Sequence, residues 1–561
     1  MRLEQSGGSM LDATIYGYSA ANQRTQQVFT AGNYVNYTYD KMGQLQSATG
    51  KESGGSTNRL QEQLGYAYDG AGNLNYRTNN ALVQTYGVNS LNELSAVTRS
   101  GTFTVAGTTT SPATNVTVNG QTAALYGDAT FAAAGFTPAN GTNTFTAIAK
   151  DSYGRVDTNV SVSYLPSPVS YTYDSNGNLT SDGSRCFAYD DENQLTSVWV
   201  TNAWRSDFVY DGTMRRRIRT EYTWNGSTWL TNLVVRYVYD GNLVIQERDG
   251  NNLPQATYTR GSDLSGSLAG AGGIGGLLAR SSNPQLLSSS SAGSAHAYYH
   301  ADANGNITCL INANQALVAK YLYDPYGNIL SQSGSLAGVN LYLFSSTEFH
   351  ANSGLLYNLY RFYDPNLQRW LNQDPLGSVA SIEDVYKTFG LLQPPRRIGS
   401  PSTVLPFEKW IGPNLCDYVG NDPINAIDPL GLWTFQFGFT FALNWGWGNF
   451  FVSAGITGDT QGNINTYTTG GAGAALEAAI QAGVTVQVSN GKCNNDLSGM
   501  FGYGSLGGGF GPDGSLDAFW GNSPDGKVIG VGGTFGVGAG AGANGGISGT
   551  TIRPLWPWKK G

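Results

Sequence analysis

The chain has 561 residues, 12% charged side chains, 76 glycines, 33 tyrosines and a formal net charge of −8. Few charges and many aromatics exclude a disordered chain, and an acidic balance excludes a chain-wide nucleic-acid footprint. Cys186, Cys309, Cys416 and Cys493 lie far apart, without zinc-ligand or redox spacing, and amount to no disulfide framework. Much Tyr, Thr, Asn and Gly predicts an all-β fold rich in turns, because aromatic and β-branched side chains suit a pleated surface. No apolar stretch follows Met1 as in a signal peptide, and no run of ~20 apolar residues occurs. Two readings stand: export by a dedicated machine, or a fragment of a longer chain.

In chain order, the first element is a repeat. Tyr37-Thr-Tyr39-Asp40-Lys-Met-Gly43-Gln-Leu45 recurs as Tyr66-Ala-Tyr68-Asp69-Gly-Ala-Gly72-Asn-Leu74. It returns at Tyr171–Leu179, Phe187–Leu195, Tyr321–Ile329 and in degenerate form at Tyr210, Tyr239 and Tyr299. Tyr-x-Tyr puts both rings on one strand face. Asp opens a turn by accepting a backbone N–H two residues on. Gly three residues after Asp supplies a positive φ, replaced once by Asn193. One such hairpin is marginal in water, so the copies must stack into a continuous sheet. The pattern over about 1–100 and 166–432 resembles the Rhs, or YD-repeat, family. That resemblance implies hairpins spiralling into a large hollow β-shell. It assigns YD repeats to 1–101 and 166–345.

Residues 102–165 lose the pattern and alternate, as in Asn115-Val-Thr-Val118 and Thr144-Phe-Thr-Ala-Ile-Ala149. They predict a small inserted β-sandwich, similar to bacterial Ig-like modules and serving as a spacer or surface module. In the basic run Arg215-Arg216-Arg217-Ile218-Arg219, period two puts Arg215, Arg217 and Arg219 on one solvated or ion-paired face. The Ser-rich stretch 281–295 reads as a loop. His296, His300 and His350 have no metal spacing and are expected to be structural.

Two blocks then break the repeat. Tyr360-Arg361-Phe362-Tyr363-Asp364-Pro365 leads into Arg369-Trp370-Leu-Asn-Gln-Asp374-Pro375-Leu376-Gly377. Later comes Asn414-Leu-Cys416-Asp417-Tyr418-Val-Gly-Asn421-Asp422-Pro423, ending in Asp428-Pro429-Leu430-Gly431-Leu432. By themselves the Asp-Pro-Leu-Gly runs read as type I turns. Together the blocks resemble the Rhs repeat-associated core, over 346–432. The resemblance implies an intramolecular aspartic protease with Asp374 and Asp428 as the acid pair, Arg369 as a supporting cation, and Leu432–Trp433 as the scissile bond. Two close carboxylates can share one proton, one activating water while the other protonates the leaving group. Ser378 after Gly377 and the long gap between the blocks depart from the family pattern; a structural plug without activity is the alternative.

After Leu432 the composition changes. Thr434-Phe-Gln-Phe-Gly-Phe-Thr-Phe441 alternates, Ala474–Ile480 has helix-forming composition, and glycines dominate the rest. Residues 433–561 therefore read as a variable, Gly-rich, mostly β domain, a meander or barrel, with membrane activity as a second reading. No His stands there, which disfavours histidine-dependent nucleases and zinc enzymes. The expected function is a secreted or cell-surface shell, active in contact between bacteria, that encloses or displays its own C-terminal domain. No cofactor or metal is expected. The expected partners are that domain, an export machine or target-cell surface, and an immunity protein. The alternative is a non-catalytic adhesion or carbohydrate-binding repeat protein.

Overall fold

The computed structural model describes residues 1–269, 271–282, 296–374 and 414–428 with their side chains, and six backbone strands between Phe435 and Pro554. The chain divides into two compact units, Met1–Leu264 with Gly273–Asp428, and Ser265–Gly272 with Pro429–Gly561. Leu432 and Trp433 lie outside the described residues, as do Ser378 and the rest of the gap between the two blocks.

The first unit is built of sequential antiparallel ladders. A ten-stranded sheet starts at Arg2–Glu4, runs to Leu94–Ser100 and takes Val169–Ser170 as its last strand. A fourteen-stranded sheet follows from Thr172–Tyr173 to Ile329–Ser333, each strand bonded to the next in chain order. Hairpin turns dictate this order, since each returns the chain beside the strand just made.

The turn chemistry is uniform. Asp40 Oδ1 accepts the backbone N–H of Met42 (2.8 Å) and of Gln44 (2.9 Å). Asp69, Asp174, Asp190, Asp302 and Asp324 do the same two and four residues on. The following Gly43 has φ +88° and Asn193 has φ +61°, the left-handed region that Gly and Asn tolerate.

Two features of the hairpin are invisible in the repeat pattern. Each copy carries a β-bulge just past the turn. Tyr39 pairs with Leu45 but Thr38 with Ser47, leaving Gln46 as the extra residue. The same step leaves Asn75, Thr196, Arg217 and Thr308 extra in their hairpins. Bulges bend and twist a strand pair, so a repeated bulge curves the array in one sense. In five units the second tyrosine then reaches back. Its hydroxyl donates to the carbonyl at the bulge of the preceding hairpin: Tyr39 to Arg24 (2.7 Å), Tyr68 to Leu45 (3.0 Å), Tyr210 to Leu195 (2.6 Å), Tyr239 to Arg216 (2.8 Å) and Tyr323 to Ile307 (2.8 Å).

The bulge also corrects the reading of the basic run. Arg217 is the extra residue, so the alternation changes phase, and Arg216 and Arg219 turn inward together. Arg216 is fully buried and pairs with Glu348; Arg219 lies 3.3 Å from the same carboxylate. Arg215 instead bonds Asp211 and Arg217 faces outward.

Residues 103–165 form a two-sheet sandwich of three and four strands around Val116, Val118, Phe131 and Ala133. The chain then re-enters the first sheet, Val169 pairing with Val97. The sandwich is clamped to the array by Arg59, whose guanidinium is fully buried and bonds Glu62 (2.7 Å), Asp128 (2.8 Å), Thr130 (2.9 Å) and Glu52.

A small sheet, Glu348–His350, Leu355–Asn358, Arg361–Asp364 and Arg369–Trp370, lies between the two large ones. Tyr363, Trp370 and Tyr418 pack against Val35, Leu45 and Leu64 of the first sheet. Leu355, Phe362 and Leu371 pack against Phe187, Leu195 and Phe208 of the second. The start of the array meets its last strands: Gln5 Nε2 donates to the Gln315 carbonyl (3.1 Å), and the Ala303 N–H donates to the Tyr16 hydroxyl (3.1 Å).

The second unit is one antiparallel ladder in the order 464–475, 448–458, 435–445, 479–489, 526–554, 499–523. Ile464–Ala475 also pairs with Gly526–Pro554, so the ladder closes on itself. Ala474–Ala475 and Ala479–Ile480 belong to strands, not to a helix; ladder pairing overrides the weak preference of Ala.

Candidate functional site

Both Asp-Pro blocks converge in the first unit, although 375–413 intervene in sequence. Strand Arg361–Asp364 is buried at every position. The Trp370 N–H donates to the Cys416 carbonyl (2.9 Å), and the Asp374 N–H to the Leu415 carbonyl (3.1 Å). These backbone bonds dock the second block against the first. Asn358 Nδ2 donates to the Asp428 carbonyl (3.0 Å) and fixes the end of that block.

The expected acid pair is brought together. Asp374 and Asp428 are buried, and one nitrogen of Arg361 serves both, Nη2 lying 2.9 Å from Asp374 Oδ2 and 3.4 Å from Asp428 Oδ2. The same guanidinium donates from Nη1 to the Leu415 carbonyl (3.1 Å) and lies 4.2 Å over the Trp370 ring. A buried charge pair needs such additional bonds to offset its desolvation. A cavity of about 10 Å³ is lined by Arg361, Leu371 and Asn372 among others, but by neither carboxylate of the pair.

The expected cation is placed differently. Arg369 Nη2 donates to the Asn92 carbonyl (2.8 Å), and its strand pairs with Asp417. Arg361 stands between the two carboxylates in its stead. Strand geometry gives the reason: Arg369 begins the neighbouring two-residue edge strand and meets the first sheet, whereas Arg361 opens an inner strand of the small sheet. The available signal was a lone Arg inside the aromatic run Tyr360–Tyr363.

Asp417 was also missed. Burial pushes its carboxyl up to about 7, against the pull of Arg361 and Arg369, and with a push from the charge of Asp428. Three carboxyls and two guanidiniums thus share one neighbourhood, an arrangement suited to holding a proton near neutral pH. His350 has a structural place, its ring nitrogens bonded to Glu221 (3.0 Å) and Ser353 (2.6 Å) beside Phe208.

Residues 167–389 match the Teneurin YD-shell family model. The tRNA3(Ser)-specific nuclease WapA of Bacillus spizizenii is 28% identical over 211 residues, 37% of this chain and 8% of that protein. The tRNA nuclease WapA of Bacillus subtilis strain 168 shows the same identity over the same length and shares. The protein YibJ of Escherichia coli K12 is 37% identical over 79 residues, 14% of this chain and 34% of that one. This chain therefore spans a small part of the length of these relatives. A crystal structure of TcdB2-TccC3 is similar over 77% of this chain and 20% of that one, at 17% identity and TM-score 0.32. With the repeated Tyr-Asp hairpins, the family match and the aligned relatives in agreement, the chain is an Rhs/YD-repeat protein.

Proposed function

We propose that the repeat array is the wall of a secreted or cell-surface, toxin-type shell that holds residues 433–561 and frees them by cis aspartic cleavage after Leu432. The observation that carries this is the buried Asp374–Arg361–Asp428 cluster, which sits at the end of the first unit and four residues before the proposed scissile bond. Burial and mutual repulsion of two neighbouring carboxyls favour a state in which one is ionised and the other carries the proton, and the shared cation keeps the ionised one charged. The ionised one activates water and the protonated one donates to the leaving amide. Positioning within one chain replaces substrate binding. Export machinery and an immunity protein for the freed domain are the partners this reading requires. The nuclease activities named for the WapA proteins belong to chains of which the match covers 8%, and the target of residues 433–561 is left to direct toxicity assays in cytoplasm and periplasm.

A second reading, non-catalytic adhesion, has one observation in its favour. The last strand of the sandwich, Val156–Leu165, displays Val156, Val160, Val162 and Tyr164 to solvent. Such a patch suits a surface contact.

Expression of the full chain separates the two. Cleavage predicts two fragments meeting at Leu432–Trp433. Asp374→Asn and Asp428→Asn should each slow their appearance by at least about 10²-fold, and Arg361→Lys should slow it more than Arg369→Lys. A natively folded wild-type chain that stays intact would overturn the protease reading.

A further inference from the structure

A second cluster of chemically distinct donors lies away from the aspartate site, where the array returns on itself. Asp12 is on strand Met10–Tyr18 of the first sheet. His300 and Cys309 face each other in register on His296–Ala301 and Ile307–Asn312 of the second. One carboxylate oxygen, one ring nitrogen and the thiol sulfur all lie within 4.8 Å of one another. Cys309 is fully buried, and the side chains of Asp12 and His300 are 7% and 12% exposed.

The hairpin bulge builds this cluster. Thr308 is the extra residue, and its hydroxyl donates to Asp12 Oδ2 (2.6 Å) and lies 3.1 Å from His300 Nδ1. Asp12 Oδ1 is held separately by the Thr30 hydroxyl (3.0 Å). A cavity of about 100 Å³, lined by Asp12, Thr308, Asp302 and Lys320 among others, opens beside it. It can supply a water as a further donor.

We propose that Asp12, His300 and Cys309 bind a borderline transition-metal ion, best matched by zinc, with the Thr308 hydroxyl or a cavity water in the fourth position. One sulfur, one nitrogen and one oxygen donor suit zinc, whereas calcium and magnesium demand oxygen sets. The thiol gives up its proton to solvent as it ligates, and the imidazole binds in its neutral form. The ion bonds residue 12 to residues 300 and 309, so it acts as a clasp on the seam that closes the array. Lys320, paired in register with Cys309 and close enough for its charge to act on both Asp12 and Cys309, competes with the ion.

The test is cobalt titration of the full chain, prepared metal-free and reduced. One equivalent should give thiolate-to-metal charge-transfer absorption, which equimolar zinc abolishes. The band should vanish in Cys309→Ser, persist in a Cys186→Ser/Cys416→Ser/Cys493→Ser variant and saturate at lower cobalt in Lys320→Met. Zinc should raise the thermal midpoint of the wild type. A wild-type chain without the thiolate band overturns the proposal, even where Cys309→Ser fails to fold. A band that survives Cys309→Ser, or is lost when the other three cysteines are replaced in a folded chain, also overturns it by locating the ion elsewhere.

Discussion

In five of the repeats the second tyrosine does more than fill a strand face. A bulge pulls a carbonyl out of the ladder, and the hydroxyl from the next hairpin satisfies it. Phenylalanine would fill the same space and leave the carbonyl without that bond. Tyr323→Phe should therefore cost about 1 kcal/mol in urea denaturation, the net worth of one hydrogen bond; an unchanged midpoint would show that water replaces the hydroxyl. Asp417 is a second residue with a definite prediction. Its folded pKa of about 7 stands above the ordinary unfolded value near 3.9. The fold thus prefers the protonated form, and the stability this contributes is complete below pH 4 and lost as pH rises to about 7. Relative to Asp417→Asn, the wild type should lose about 4 kcal/mol between pH 4 and pH 8, about three pKa units at about 1.4 kcal/mol each. Parallel urea midpoints for the two chains across that window would remove Asp417 as a titrating group.

Among elements, the inserted sandwich behaves as part of the array. Arg59 bonds carboxylates from both sides of the joint, Glu52 and Glu62 of the array and Asp128 of the insert, and its guanidinium lies 4.7 Å over the Tyr126 ring. Removing one partner from a buried network strands the others, at a cost of about 3–5 kcal/mol. Arg59→Met should lower the thermal midpoint and expose the insert to limited proteolysis ahead of the repeats. Simultaneous digestion of insert and repeats, with an unshifted midpoint, would show that the clamp does not couple them. The bulges have the same reach within a strand: one extra residue at Arg217 decides that Arg216 and Arg219 turn inward toward Glu348.

At the scale of the molecule, local chemistry alone specifies a stacked all-β array. Asp and Gly at fixed offsets encode each turn, Tyr-x-Tyr encodes a strand face, and a hairpin pairs with whatever follows it, so sheet order was legible from the repeats. Asp374 and Asp428 were singled out only through the resemblance of their two blocks to the family's core, since by themselves the Asp-Pro-Leu-Gly runs read as turns. What pairs with the two acids was not legible. Arg361 and Arg369 are equally plausible by type, and only the packing of the small sheet between the two large ones puts Arg361 at both acids. Asp417, the bulge phase at Arg217 and the meeting of Asp12 with His300 and Cys309 share that character. Each depends on contacts between residues distant in the chain, or on one unpaired residue in a ladder, and periodicity carries neither. The chain by itself therefore determined the repeat and its turns; the return of the array on itself decided which side chains surround Asp374 and Asp428, since burial and charge pairing arise only where separate hairpins are brought into contact.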